Sequence, residues 1–362
     1  MKNINHTETH QNNRINERPH VLMITPFHKQ MRGNAVTAAR ICSGLEELGW
    51  RVDLHSLEEG QNAHHLSHEA ASGNYGMIHG FHALHMSAFF DDNPELMKLP
   101  FLLTMTGTDL FSLRLDKNVD RIAAILDLAA AIVVFNADEI SLLNKICPDW
   151  SGKTTLIPQG VALKDGPPLT RNKLDLLEND VVFVLPSGLR AIKNIDMAVD
   201  ALDIVKNRNY KARLLIVGIA IEMEYAIRLI DRIALNPDIA YLGPFDHADM
   251  KSLLQLTDVV VNCSHSEGQP QAALEAMSLG KPCILTAVPG NLNVIENYRE
   301  GIYVQTTEEL AAAMEYYIKE PEQRAAMGRA AQKLIDEKFT LSTEISSYHK
   351  LYEQLTKTPP IT

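Results

Sequence analysis

Residues 20–55 read HVLMITPFHKQMRGNAVTAARICSGLEELGWRVDLH, and this stretch decides the fold. HVLMIT is an apolar run of strand length, closed by Pro26. NAVTAARICSGLEEL then spaces its apolar residues as one face of a helix and stops at Gly49, after which RVDLH returns to strand. Strand, helix and strand in that order make a βαβ unit with parallel strands. Working outward, YGMIH, FLLTM, AIVVF and TTLI predict more strands, with helices around Ala83 to Phe90, Lys117 to Ala129 and Ala137 to Lys145. ALKDGPPLTRNKLDLLEND, with two adjacent prolines, loses apolar periodicity in the manner of an interdomain connection.

A second series follows. VVFVLPSG, RLLIVG, IAYLG, DVVVNC and CILT predict strands, with helices around Ile195 to Lys206, Glu222 to Ala234, His247 to Gln255 and Gln271 to Leu279. Three helix-like stretches, TEELAAAMEYYIKE, PEQRAAMGRAAQKLIDEKF and STEISSYHKLYEQL, end the chain without further strands. The expected organisation is a disordered tail over 1–19, an N-terminal domain over 20–165, a C-terminal domain over 166–338, and a final helix over 339–362 crossing back to the first domain. The fold class is α/β, with two facing Rossmann-like doubly wound parallel sheets and a cleft between them. At 362 residues the chain is long enough for two such cores.

The formal net charge of -11 argues against a nucleic-acid partner and against broad docking on anionic lipid. Cys42, Cys147, Cys263 and Cys283 are too scattered for a zinc motif and too few for a disulfide scaffold, which fits a reducing cytoplasm. The polar start MKNINHTETHQNNRINERP has no apolar core of a secretion signal, and no run reaches the length of a membrane span. Any substrate is therefore expected to be soluble.

Open parallel sheets bind ligands beyond the carboxyl ends of their strands, so the residues that matter should follow apolar runs. Gly33, His79, Thr106, Gly188, Gly218, Gly243 and Glu267 do. Neither half carries GxGxxG after its first strand, and there is no Walker loop, which excludes the usual dinucleotide and P-loop sites. In SHSEGQPQAALEAMSLGKPCILT, Glu267 lies on a loop and Glu275 about a turn inside the helix that Gly280 ends. Gly268, Gln269, Pro270 and Gln271 open that helix, where unpaired amides attract polar oxygens. Carboxylates beside such a spot make sense as acceptors for ligand hydroxyls, or simply as caps and solvated groups.

After VVFVLP, Ser187 and Gly188 lead to Arg190 and Lys193, cations suited to a diphosphate or else solvated surface charges. Gly33 and Asn34 sit at a strand-to-helix turn where phosphate or sugar can approach the backbone, and Asn34 also suits an N-cap. His79, His82 and His85 recur at three-residue intervals without a nearby carboxylate or cysteine pair, so a metal is not expected. A cleft-facing role for His79 and a satisfied structural one remain open. Thr106, Gly107, Thr108 and Asp109 read as a strand-end loop aimed at the cleft, with Asp109 orienting an acceptor, acting as base, or bonding its own turn.

With these residues in hand, the chain resembles the GT-B glycosyltransferases of family 4, the group 1 type, over nearly everything after His20. Glu267 and Glu275 match the family's E-x7-E pair, and Arg190 and Lys193 match its Arg and Lys after the first strand of the second domain. The resemblance implies that Glu267 meets donor-sugar hydroxyls, Glu275 holds a ribose, the cations hold the diphosphate, and the base rests near Gly243, Pro244 and Phe245. GNAVTAARI, TGTDL, IPQGV, SGLRAIKN, SEGQPQAALEAM and VPGNLNVI are similar to segments of the subgroup of glycosyltransferase 1 domain-containing proteins, and GN-VTA and TGTDL to segments of selenosugar synthases.

Two departures stand out. Many members have a histidine where this chain has Thr106, which leaves Asp109, His79 or His82 to take its place. The common GFG after the first glutamate is replaced by Gln269, Pro270 and Gln271, and Pro270 has no N–H to offer. The implied activity is a metal-independent, retaining transfer of a hexosyl group from a nucleoside diphosphate sugar, a UDP-sugar, to a small acceptor, with no cofactor. Its expected catalytic residues are Glu267, Asp109 and His79. His82, Thr106, Gly107 and Thr108 are expected on the acceptor side. A sugar-nucleotide epimerase and a non-catalytic sensor or partner subunit stay open as alternatives, as does a homo-oligomer.

Overall fold

The computed structural model describes residues 18–27, 33–59 and 74–357, and nearly all of the expected tail over 1–19 lies outside them. The first half runs β1 (Val21–Thr25), α1 (Gly33–Glu47), β2 (Val52–Ser56), β3 (Met77–Phe81), α2 (Ala83–Asp92), β4 (Phe101–Thr104), α3 (Gly107–Arg114), α4 (Val119–Leu128), β5 (Ala131–Val134), α5 (Ala137–Ile146), the short α6 (Pro148–Ser151) and β6 (Thr154–Leu156). The second runs β7 (Val181–Pro186), α7 (Ile195–Asn207), β8 (Ala212–Val217), α8 (Met223–Ile233), β9 (Ile239–Tyr241), α9 (His247–Gln255), β10 (Val259–Asn262), α10 (Gln271–Ser278), β11 (Cys283–Thr286) and β12 (Gly301–Val304). Three helices close the chain: α11 (Thr307–Lys319), α12 (Pro321–Lys338) and α13 (Leu341–Lys357).

Each half builds a six-stranded sheet, in the orders β2-β1-β3-β4-β5-β6 and β12-β11-β10-β7-β8-β9, and among the described residues the strand pairings are parallel. All five residues of β1 and all four of β4 are buried, as strands covered on both faces by helices must be. The strand order reverses between β1 and β3 and between β7 and β10. A crevice opens at such reversals, because the connections on either side leave in opposite directions.

The helices start where side chains replace missing backbone partners. Asn136 accepts from Asp138 N ahead of α5, Thr306 accepts from Glu309 N ahead of α11, and Pro321 opens α12, where no N–H is needed. Helix α13 packs on the first half: Ile345, Tyr348 and Tyr352 are buried with Val21, Met23 and Phe81. A buried two-pronged pair holds it there, with Arg40 Nε and Nη2 donating to Glu344 at 2.8 and 2.9 Å. Among the described residues no helix is long and apolar enough to cross a membrane.

Three sequence expectations change. A sixth strand, β12, follows CILT and pairs with β11, where no further strand is expected from the sequence. TGTD does not end in a loop: Gly107 begins the helix α3. Strand β3 also lies two residues further on than YGMIH, which puts His79 at its centre with no solvent exposure. There the imidazole meets the Tyr352 hydroxyl at 2.7 Å and Thr104 Oγ1 at 2.8 Å and stacks on Phe81, so His79 is a core residue and not a cleft catalyst.

Burial pulls the His79 imidazole down to about 3. A folded-state value below the unfolded one means stability that is complete above the unfolded value of about 6.5 and is lost as pH falls toward the folded value. The expected loss runs from pH 6.5 to 3 at up to about 1.4 kcal/mol per pH unit. Melting temperatures of wild type and His79→Gln across that range check it: the variant should lack this slope, and parallel profiles would refute the assignment.

Candidate functional site

Where the two sheets face each other lies a cleft of about 460 Å³, within the usual range for a small-molecule site. Its second-half wall is built on the β7/β10 reversal. Ser187, Gly188, Arg190 and Lys193 leave β7, and Glu267 leaves β10, so residues distant in sequence share one wall. The loops after β7 and β8 touch through their backbones: Ser187 N donates to Val217 O at 2.7 Å, and a Cβ on Gly218 would lie 2.1 Å from Ser187 O. Asn194, in the left-handed region at φ 48°, turns the chain into α7 just after Lys193.

Lys193 Nζ stands 2.6 Å from Glu267 Oε1, and Asn262 Nδ2 and Ser264 Oγ donate to the same oxygen at 3.0 and 2.6 Å. Burial opposes ionisation here, but the Lys193 ammonium and these hydrogen bonds outweigh it and hold the Glu267 carboxyl below its ordinary value. Three donors on Oε1 leave the acceptor capacity of Oε2 for a ligand. The Glu267 backbone is fixed as well, since its N–H donates to Pro289 O at 3.1 Å and a Cβ on Gly290, at φ +87°, would lie 1.9 Å from Glu267 O.

Helix α10 carries Glu275 into the same cleft. One oxygen, Oε1, is 2.9 Å from His247 Nε2 at the start of α9, and the carboxylate retains further lone pairs. Phe245 also lines the cleft, after a turn in which Gly243 takes φ +75°. Gly268, Gln269, Pro270 and Gln271 all border the cleft, as expected. The Gln271 amide is taken up by Gln269 O at 2.9 Å, so this entrance to α10 offers fewer unpaired N–H groups than a helix start usually does.

Gly33 and Asn34 at the start of α1 line the first-half wall, as do His82, Thr106, Gly107 and Thr108. His82 is 6% exposed and adopts φ 71°, an uncommon backbone for a residue other than glycine. Its Nε2 meets Thr108 Oγ1 at 3.0 Å, and its ring packs edge-on to His85 at 4.6 Å. Gly107 and Gly268 meet across the cleft: a Cβ on Gly107 would lie 2.6 Å from Gly268 N.

Asp109 does not reach the cleft. As the third residue of α3 it has no solvent exposure; its Oδ1 accepts from Thr106 N at 2.8 Å and Leu110 N at 3.0 Å, and its Oδ2 from Ala83 N at 2.9 Å. It caps α3 and pins the turn after His82, so it acts neither as a base nor as an acceptor ligand. Of the three candidates to stand in for the family histidine, only His82 lines the cleft.

Sequence reasoning missed His247, Asn262, Ser264 and Gln159. Asn262 and Ser264 sit at the polar end of an otherwise apolar strand, a signal available in VVVNCSHSE. The sequence carries no comparable sign for His247, whose partner is 28 residues away.

Residues 168–334 match the family model described as glycosyl transferases group 1. A glycosyltransferase 1 domain-containing protein 1 from Xenopus tropicalis is 23% identical over 332 residues, 88% of this chain and 93% of the relative. An N-acetyl-alpha-D-glucosaminyl L-malate synthase from Bacillus anthracis is 23% identical over 70% of this chain and 68% of its own. Among solved structures, sucrose-phosphate synthase from Thermosynechococcus elongatus superposes with a TM-score of 0.80 at 18% identity, over 94% of this chain and 100% of that one. Anabaena HepE in complex with UDP-glucose gives 0.77 at 18% identity, over 93% and 100%. At such identities the structural likeness is one of fold.

Proposed function

We infer that this chain, which has the GT-B fold and whose residues 168–334 match the group 1 glycosyltransferases, is a member of that family and moves a hexosyl group from a UDP-sugar to a small soluble acceptor, with retention and without a metal ion. One observation carries the reading: Arg190 and Lys193 share a cleft wall with Glu267 and Glu275, and Lys193 and Glu267 are in contact. Cations at that position stabilise the negative charge that grows on a departing diphosphate, which is the part a metal would otherwise play. Glu267, kept ionised, accepts sugar hydroxyls, and Glu275, steadied by His247, accepts those of a ribose. The solved relative with UDP-glucose supports a UDP-sugar donor. The malate synthase, by its name a protein that joins a sugar to L-malate, supports a small acceptor. Four unpaired cysteines support a cytoplasmic setting.

Incubation with a panel of nucleoside diphosphate sugars and small hydroxylated acceptors, with nuclear magnetic resonance of the product, tests this. The expected result is UDP release that chelator leaves unchanged and a product with the donor's anomeric configuration. Inversion, loss of turnover in chelator, or conversion of the donor to its epimer would each overturn the corresponding part.

On the acceptor side, His82→Gly should separate two reactions. Glycine relieves the strained φ, worth roughly 1–3 kcal/mol, and this offsets the lost ring packing. Melting temperature should therefore change little. Transfer should fall about 100-fold, the lower range for a positioned acid–base group, while slow donor hydrolysis persists. Equal losses in both reactions would contradict a role on the acceptor side.

A further inference from the structure

Gln269 lies on the loop after Glu267 and Gln271 begins α10, yet their polar ends bond to the other half of the molecule. Gln269 Oε1 accepts from Gln159 N at 2.7 Å, and Gln271 Nε2 donates to Gly160 O at 3.0 Å. Residues 159–161 are where the chain leaves the first sheet, and they run beside its second crossing. A Cβ on Gly160 would lie 2.7 Å from Leu341 Cα, and Val161 N donates to Phe339 O at 2.9 Å. The loop that carries Glu267 is thus tied to the paired crossings between the halves.

The tie continues into the first half. Gln159 is 5% exposed, and its Oε1 accepts from Thr37 Oγ1 at 2.7 Å and from Arg40 Nη2 at 3.3 Å. Arg40 is the guanidinium that holds Glu344 of α13. A continuous set of hydrogen bonds therefore links the C-terminal helix, α1, the crossing segment and the loop beside Glu267. Every link in it is a specific, directional contact between buried or half-buried groups, which are costly to leave unmade.

We propose that Gln269 and Gln271 are positioning residues: they clasp the Glu267 loop to the crossing at 159–160, and through Gln159 and Arg40 the docking of α13 sets the placement of that loop. The role rests on the preceding reading only for its kinetic consequence. Binding geometry is sensitive to displacement, so release of the clasp moves Glu267 against Lys193 and the first-half wall. The close backbone approach of Gly107 to Gly268 makes the loop's placement also the width of the cleft.

Two measurements test it in the full chain. Hydrogen exchange reads the clasp without any substrate: the Gln159 amide should exchange faster in Gln269→Met, which keeps side-chain bulk but loses the acceptor oxygen. Unchanged protection would overturn the clasp. For coupling, kcat/KM with the donor is compared for Gln269→Met, Glu344→Gln and the double variant, with melting temperatures alongside. Each single change should lower kcat/KM by about 10-fold, and the double change by clearly less than the product of the two. Losses that multiply, or that track melting temperature alone, would overturn the coupling. Should the wild type turn over no sugar nucleotide, the functional reading fails while the exchange result still decides the clasp.

Discussion

Glu267→Ala is expected to lower kcat/KM by about 10²–10³-fold, the range for removal of one preorganised polar group at a reacting centre. The change also strands the Lys193 ammonium, which pairs with Glu267. Leaving one member of a largely buried pair unpaired costs roughly 3–5 kcal/mol, so alanine alone would confuse instability with catalysis. Glu267→Gln separates them. With its amide oxygen in the place of Oε1, glutamine still accepts from Lys193, Asn262 and Ser264, but presents an NH2 where the carboxylate offers Oε2. Activity should fall nearly as far as in the alanine variant while most of the stability returns. Near-normal turnover in Glu267→Gln would mean that the residue is only a partner for Lys193.

Gly290→Ala is expected to be nearly as damaging, although Gly290 supplies no side chain. Its φ of +87° disfavours any Cβ, and that Cβ would fall 1.9 Å from Glu267 O, so the loop at 289–290 or the Glu267 backbone must move. Backbone strain alone costs of order 1–3 kcal/mol, and a shift of about 1 Å at a reacting group can cost 100-fold in rate. Gly49→Ala is the control. Gly49 has a similar φ of +82° but, among the described residues, only the Arg18 guanidinium within reach, at 3.4 Å, so it should lose stability and keep its turnover per folded molecule. Equal turnover in the two variants would show that the Gly290 contact does not position Glu267.

Much of the fold was legible because parallel strands buried on both faces read as unbroken apolar runs. VLMIT and VVFVLP could hardly be anything else, and the helices between them carried their own stops. Strand β12 escaped because four residues beginning with glycine carry little pattern of their own, and its strand character comes from pairing with β11. Asp109 was misplaced for a different reason. Thr106 and Asp109 have the spacing of a capping box, a signal that was present and implied a helix start with its carboxylate turned inward. His79 moved from strand end to strand centre through a two-residue error in one boundary, enough to exchange cleft for core.

The meeting of Lys193 with Glu267 could not be read from spacing, since 74 residues separate them. Only the strand order, with β7 beside β10, brings them together. The family resemblance put both residues on one ligand in advance but not in contact with each other; composition and periodicity did neither. Gln269 and Gln271, visible in the sequence as departures from GFG, could not be seen as bridges, because their partners at 159–160 lie in the crossing between the halves.

The central claim is that the two carboxylates grip the sugar and the ribose of one sugar nucleotide while the cations grip the diphosphate between them. Calorimetric titration of UDP into wild type, Arg190→Ala and Glu275→Ala tests it most directly, since UDP carries the diphosphate and the ribose that these two residues are assigned to hold. Saturable binding by the wild type, weakened at least about 10-fold by each substitution, is the predicted result. Unaltered affinity in either variant, or no UDP binding by the wild type, would contradict it.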